Sequence, residues 1–254
     1  DLWIKRMKIL ITSPTTSLVE TITDAVSVHS IKKSLSVHMQ NLGTAPVSAS
    51  QTNDENNTGY VATLKDHFIH CFGPEDSYAY KKAQYNFATS LAGYSLICYL
   101  LQIKDRHNGN IMIDNEGHLI HIDFGFMLSN SPGSVGFEAA PFKLTFEYVD
   151  VLGGLESDAF KKFKTLLKTG FKILRKNHDQ IVSMCEIMQK ESLQPCFQLG
   201  EQTSVQLKQR FVMHLKSEKD VDRFVEDYLI GRSLGSMYTR IYDQFQLLTQ
   251  GIYS

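Results

Sequence analysis

The sequence predicts an α+β fold, mostly helical, with a short strand pair near its N-terminus and a β-hairpin near its middle. Three observations carry that expectation. Residues 7–22, MKILITSPTTSLVETI, alternate and cluster as two strands around the turn Ser13-Pro14-Thr15. Residues 110–123 read as NIMI, a turn from Asp114 to Gly117, then HLIHID. Most of the remaining apolar residues recur at helical spacing.

Taken in order, residues 24–40 are helical or irregular. From Asn41 to Tyr60 there is no Lys or Arg and little to bury, so residues 41–60 are expected to be a disordered insertion. A long helix spans about 80–102, with Ala83, Phe87, Leu91, Tyr94, Cys98 and Leu101 on one stripe. Residues 125–145 lack periodicity and contain Pro132, Gly133, Gly136 and Pro141, which predicts an exposed loop. A short helix ends at Gly153-Gly154, and Ser157 or Asp158 caps one reaching about Asn177. Further helices cover about 179–190, 203–213 and 217–230; Ser217 and Asp220 are spaced as a capping box and Gly231 is the stop. The last runs over about 234–250, with Tyr238, Ile241, Tyr242, Phe245 and Leu248 on one side.

Composition narrows the function. The chain has 254 residues, 43% of them hydrophobic, and a net charge of −1, which argues against a nucleic-acid partner. Cys71, Cys98, Cys185 and Cys196 show no metal-ligand spacing and are expected to be reduced thiols in a cytosolic protein. The Asn56-Asn57-Thr58 acceptor pattern carries no weight without a signal peptide. No apolar run is long enough to span a bilayer. The chain opens on Asp1 in what reads as mid-domain, and is expected to be a fragment.

The chemistry concentrates in KDRHNGNIMID, residues 104–114. An apolar helix empties there into Asp105, Arg106, His107, Asn108 and Asn110, a costly cluster to bury unless its polar groups are satisfied. Asp105 and Asn110 are five residues apart, and Asp123-Phe124-Gly125 follows thirteen residues after Asn110. Phosphoryl transfer by kinases needs an Asp near the attacking hydroxyl, an Asn on magnesium at that spacing, and the Asp of D-F-G as second ligand. A hairpin brings Asn110 and Asp123 together because one begins its first strand and the other ends its second. His107 alone reads as a structural histidine; the set reads as a metal-and-phosphate site. The order Asp-Arg-His, rather than His-Arg-Asp, points away from protein kinases.

With these residues in view, DRHNGNIM and GHLIHIDFGFMLSNSPGSVGFEAAPFKLT resemble the phosphatidylinositol 4-kinases, nearest the type III beta enzymes with their fungal representatives. ILITSPTTSLVETITDAVSVHSIKK and MCEIMQK with QPCF are similar too, and the resemblance covers nearly the whole chain outside 41–60. It implies a protein-kinase-like C-terminal lobe. Residues 1–23 would end the N-lobe and form the hinge; 24–254 would be the helical lobe, with catalytic loop 104–110, DFG 123–125 and activation loop 126–145. Asp105 would position or deprotonate the inositol hydroxyl, His107 would polarise phosphate oxygens or relay the proton, and Arg106 would support the catalytic loop by pairing within it. Asn110 and Asp123 would hold magnesium, with manganese as a substitute. Glu20, Thr21 and Ile22 would meet adenine over a floor of Met112 and Ile122. No upstream phosphate loop or gripping Lys precedes the hinge, so the fragment alone is expected to turn over no ATP.

The loop from Ser129 to Thr145, with Pro141, Phe142 and Lys143, sits where the family reads the headgroup. It has one base, Lys143, and one acid, Glu138, which favours unphosphorylated phosphatidylinositol because extra phosphates require more cations. Position 4 of the ring rests on the resemblance alone. In the helix at 157–177, Lys161, Lys164, Lys168, Lys172 and Arg175 form a basic stripe that suits an anionic membrane surface, against the plainer reading of a packed helix with a solvated face. Ile252 or Tyr253 would touch the membrane. The resemblance further implies peripheral Golgi attachment, with small GTPases and a frequenin-like calcium sensor as partners. The competing readings are a phosphatidylinositol 3-kinase type enzyme, a related large protein kinase, and a non-catalytic pseudokinase scaffold.

Overall fold

The computed structural model describes residues 1–13, 16–41, 63–131, 140–236, 243–244, 246–247 and 249–253. It is mostly helical with two small antiparallel sheets, as the α+β expectation required. β1 (Ile9–Ser13) pairs with β2 (Thr16–Val19) as a ribbon with Ile9 opposite Val19 and a bulge between Ile11 and Ser13. The turn residues Pro14 and Thr15, residues 42–60 of the expected insertion and residues 132–139 of the expected activation loop lie outside the described residues.

The expected hairpin is present as β4 (Ile111–Asp114) and β5 (Leu119–His121), with Ile111 opposite His121. β3 (Ala25–Ser27), in the stretch expected to be helical or irregular, adds to β4 as a third antiparallel strand before α1 (Val28–Asn41) begins. Gly117 closes the hairpin turn at φ +87°, and a Cβ there would lie 2.8 Å from the Ala83 Cβ, so the turn both twists left-handed and presses on the long helix.

α2 (Leu64–Phe72) is closed by a capping box between Thr63 and Asp66. α3 (Tyr78–Leu101) is the central element. Every residue from Phe87 to Leu96 is buried, wider than the single stripe expected, because helices, the sheet and the N-terminal segment surround it. α4 (Phe146–Val151) and α5 (Asp158–Lys176, capped by Ser157) follow, α5 burying Phe160, Phe163, Leu167 and Phe171. Gly170 sets how closely α5 meets α3: a Cβ there would fall 2.5 Å from Leu96 Cδ1.

α6 (His178–Gln189), α7 (Gln202–Gln209) and α8 (Glu218–Arg223) match expected helices, α7 ending earlier than its pattern suggests. The 217–230 helix widens into a π-helical segment, Phe224–Ile230, and continues through α9 (Gly231–Ser233). Gly231 is therefore not the stop: it keeps helical angles, and the left-handed glycine is Gly235, at φ +56°. The apolar stripe of the last expected helix lies outside the described residues.

Candidate functional site

α3 ends at Gln102, whose φ of +50° turns the chain sharply out of the helix into 104–110. That loop is joined to the segment after β5 through the main chain. The Lys104 N–H donates to Phe126 O at 2.9 Å, and the Leu128 N–H donates to Leu101 O at 2.6 Å. The Ile122 N–H donates to Asn110 O at 3.0 Å, so Asp123 lies one residue beyond Asn110's partner at the same end of the hairpin.

Arg106 completes the joint. Its Nε donates to Lys104 O at 2.9 Å and one terminal nitrogen to Ile122 O at 2.7 Å, while the other donates to Asp123 O. The buried guanidinium also lies 5.7 Å from the centre of the Phe124 ring. It thus clamps the two segments by their carbonyls, the supporting role expected of it, but to main chain of both segments rather than within the loop alone.

Asp105 and Asp123 both adopt left-handed backbone, at φ +61° and +56°. Leu128 shares it at +51°, so with Gln102 four of the six non-glycine residues of positive φ among the described residues fall between 102 and 128. Such conformations cost about 1–3 kcal/mol each and gather at functional sites, where surrounding structure holds them. Here the sewn main chain is that structure. The Asn110 side-chain nitrogen donates to Asp105 O at 3.0 Å, which turns the carboxamide oxygen of the planar group the other way. Asp123 Oδ1 accepts the Gly125 N–H at 3.1 Å, and its side chain is exposed.

His107 Nδ1 accepts the Gly109 N–H at 3.1 Å, so the neutral ring carries its proton on Nε2, 4.0 Å from Asp105 Oδ1. Burial pushes this imidazole below its ordinary value; Asp105 and Asp123 oppose that, and Arg106 and Lys143 reinforce it. Asp105, Arg106, Lys143 and Asp123 thus all act on the charge of this one ring. Behind it, His121 stacks on Tyr94 at 4.7 Å and is held far below the usual histidine range by burial.

Among the described residues no cluster of three or more His, Cys, Asp or Glu side chains could hold a metal by itself. The Asn110 and Asp123 donor set is one amide and one carboxylate. Those hard oxygens fit magnesium, which takes few protein ligands when phosphates supply the rest. Glu20, Thr21 and Ile22 line a cavity of about 320 Å³ together with Lys5 to Met7, Thr23 and Asp24. Ile22, Met112 and Ile122 each pack half-buried against the main core.

One expectation needs correction. The C-terminal end of the 125–145 loop is not exposed: Pro141 is half-buried, and Phe142 and Lys143 are buried. On the basic stripe of α5, four of the five cations have partners, as the plainer packed-helix reading allows. Lys164 and Lys168 reach Glu226 at 3.0 and 2.6 Å, Lys172 reaches Glu218 and Asp222, and Arg175 donates to carbonyls of Phe211, Val212 and Leu215. The main chain of Tyr253, one of the two residues expected at the membrane, meets the loop: its carbonyl accepts from Asn108 Nδ2 at 3.0 Å, and its N–H donates to His29 Nδ1 at 2.8 Å. Sequence reasoning missed Asn108, His29 and Asp243 as site neighbours. Asn108 stood in the polar cluster, but nothing local marks the other two.

Residues 1–199 match the family described as phosphatidylinositol 3- and 4-kinase. The chain is 67% identical over 254 residues to phosphatidylinositol 4-kinase PIK1 of Saccharomyces cerevisiae, covering 100% of this chain and 23% of that one. It is 51% identical over 251 residues to the Schizosaccharomyces pombe pik1 kinase, covering 99% and 28%. It is 44% identical to phosphatidylinositol 4-kinase beta of Sorex araneus, again over 99% and 28%. The chain spans about a quarter of the length of these curated relatives.

Proposed function

The chain belongs to the phosphatidylinositol 3- and 4-kinase family, and from that premise we propose that the enzyme transfers the terminal phosphoryl group of ATP to the inositol 4-hydroxyl of phosphatidylinositol. The observation that supports the reading is the backbone-sewn joint between the loop carrying Asp105, His107 and Asn110 and the segment carrying Asp123. Phosphoryl transfer asks for positioning and charge neutralisation rather than covalent chemistry, and a site held by main-chain bonds supplies positioning.

In this reading Asp105 orients the attacking hydroxyl and accepts its proton. Neutral His107 presents its Nε2–H beside Asp105 as a donor to phosphate oxygen. Asn110 and Asp123 would hold magnesium or manganese, which when bound neutralises charge on the transferring phosphates. Glu20 to Ile22 meet adenine, with Met112 and Ile122 beneath it. Arg106 keeps the two metal-side segments in register.

The choice of unphosphorylated lipid has added support. Lys143, the one Lys or Arg between Ser129 and Thr145, is bound to Asp243, so this loop offers no uncommitted cation to an extra phosphate. Position 4 is supported by relatives named as 4-kinases. No helix among the described residues is long and apolar enough to cross a membrane. Peripheral docking on Golgi membranes, with small GTPases and a frequenin-like calcium sensor, extends the reading and rests on resemblance alone.

The test is lipid phosphorylation by the full-length protein over a panel of inositol lipids and a peptide, with the product isomer resolved. Phosphatidylinositol is the expected substrate and its 4-phosphate the product. Asp105→Asn should lower kcat by about 10²–10⁴-fold with little change in thermal stability. A 3-phosphate product, or phosphorylation of the peptide alone, would replace this reading.

A further inference from the structure

Lys143 has the chemistry of a headgroup-reading residue and the environment of something else. Its side chain is 3% exposed and lies between buried Phe142 and Leu144. Its ammonium has three acceptors: Asp243 Oδ1 at 2.7 Å, Asp243 Oδ2 at 2.9 Å and Asn108 Oδ1 at 3.0 Å. An ammonium has three hydrogens, so this set engages its donor capacity. A cation that reads phosphate must keep a donor toward the ligand.

The surrounding chain is fixed as well. The Phe142 N–H donates to Ser233 Oγ at 3.2 Å, and the Gly235 N–H donates to Leu144 O at 3.0 Å. Asn108 takes two ties at once, accepting from Lys143 and donating to Tyr253 O. Asn108 also opens the short 3-10 turn, Asn108–Asn110, that sets the direction of Asn110 and follows directly on His107.

We infer that Lys143 is a positioning residue: held by Asp243 and acting through Asn108, it fixes the turn that aims His107 and Asn110, and it makes no contact with the lipid headgroup. The inference rests on the proposed kinase reading for its consequence in catalysis, but not for the tie itself. The C-terminal segment thereby becomes part of the catalytic loop's support. Removing either charge leaves its partner buried without compensation, and Asn108 loses one of its two ties.

The experiment compares wild-type full-length protein with Lys143→Met, Asp243→Asn and the double variant. It measures kcat and KM for phosphatidylinositol and for ATP, together with amide hydrogen exchange across residues 104–111. Each single variant should lower kcat by about ten- to a hundredfold, with both KM values within about twofold of wild type and faster exchange in the turn. The double variant should be no worse than the poorer single one, because both changes break one tie. Asp243→Asn keeps shape and an acceptor oxygen, and carries the test if Lys143→Met fails to fold. A raised lipid KM with unchanged kcat would make Lys143 a headgroup contact, and unchanged exchange in folded variants would remove the tie; either result overturns the inference. A wild-type protein that does not phosphorylate phosphatidylinositol ends the functional reading, while the exchange arm still decides the tie.

Discussion

The loop at 104–110 and the outer face of α5 are both rich in charge, and they use it in opposite ways. Around the loop, polar side chains bond largely to main chain: Arg106 to three carbonyls, Asn110 to Asp105 O, His107 to the Gly109 N–H. On α5, Lys164, Lys168 and Lys172 bond to other side chains, on acids that are themselves 36–88% exposed. The first kind fixes backbone shape and is expensive to break, because a buried side chain such as Arg106 ties carbonyls of two separate segments. The second kind is screened by water and salt and contributes little. Sequence alone gives both the same appearance.

The largest test of that contrast is Arg106. Arg106→Leu removes the hydrogen bonds to the Lys104, Ile122 and Asp123 carbonyls, and should cost about 3 kcal/mol. Chemical denaturation would read it, and phosphorylation should be lost. Arg106→Lys should rescue little, since one ammonium cannot span carbonyls on two segments as a planar fork does. Full rescue by Lys would mean that charge, not geometry, holds the loop to the DFG segment.

Asp114 sharpens the comparison at the far end of the same hairpin. Its carboxylate accepts the Glu116 and His118 N–H groups at 2.9 and 2.8 Å and meets His118 Nδ1 at 2.9 Å, while that ring stacks on Trp3 at 3.9 Å. Burial pushes the carboxyl up, but the His118 and Glu116 bonds outweigh it and hold it below its ordinary 3.8. Because the folded value is depressed, this stability is present above pH 3.8 and fades as pH falls through the lower folded value. Asp114→Ala should cost about 1–3 kcal/mol near neutrality. In acid titrations, the gap between wild type and variant should narrow below that range; a gap constant with pH would deny the carboxylate its role.

What was legible follows the same division. The β1–β2 ribbon, the hairpin, α3 and α5 announce themselves because periodicity and caps are local. So does the spacing of Asp105, Asn110 and Asp123, since one hairpin separates them. α2 had a readable signal in its Thr63-to-Asp66 spacing. β3 did not, being three residues long and defined by its pairing with β4. The π-helical widening at Phe224–Ile230 hid the failure of Gly231 as a stop. Lys143 was misjudged as exposed because its partner Asp243 is 100 positions away, and no window holds both.

The smallest expected effect lies on α5, and it separates packing from membrane binding. Reversing Lys164, Lys168 and Lys172 to Glu would set acids against Glu226, Glu218 and Asp222, confounding lost binding with lost stability. Glu226→Gln is cleaner, since it releases Lys164 and Lys168 without adding charge repulsion. The Lys168 and Lys164 bonds hold the Glu226 carboxyl below its ordinary value, but its side chain is 43% exposed, so screening leaves little of that as stability. The midpoint of thermal unfolding should fall by under about 3 °C, less at high salt. If these lysines only pack the lobe, binding of the full-length protein to phosphatidylserine vesicles should be the same for variant and wild type. A clear gain in binding would mean that Glu226 masks a membrane-facing basic stripe, and the contrast between the two regions would have to be redrawn.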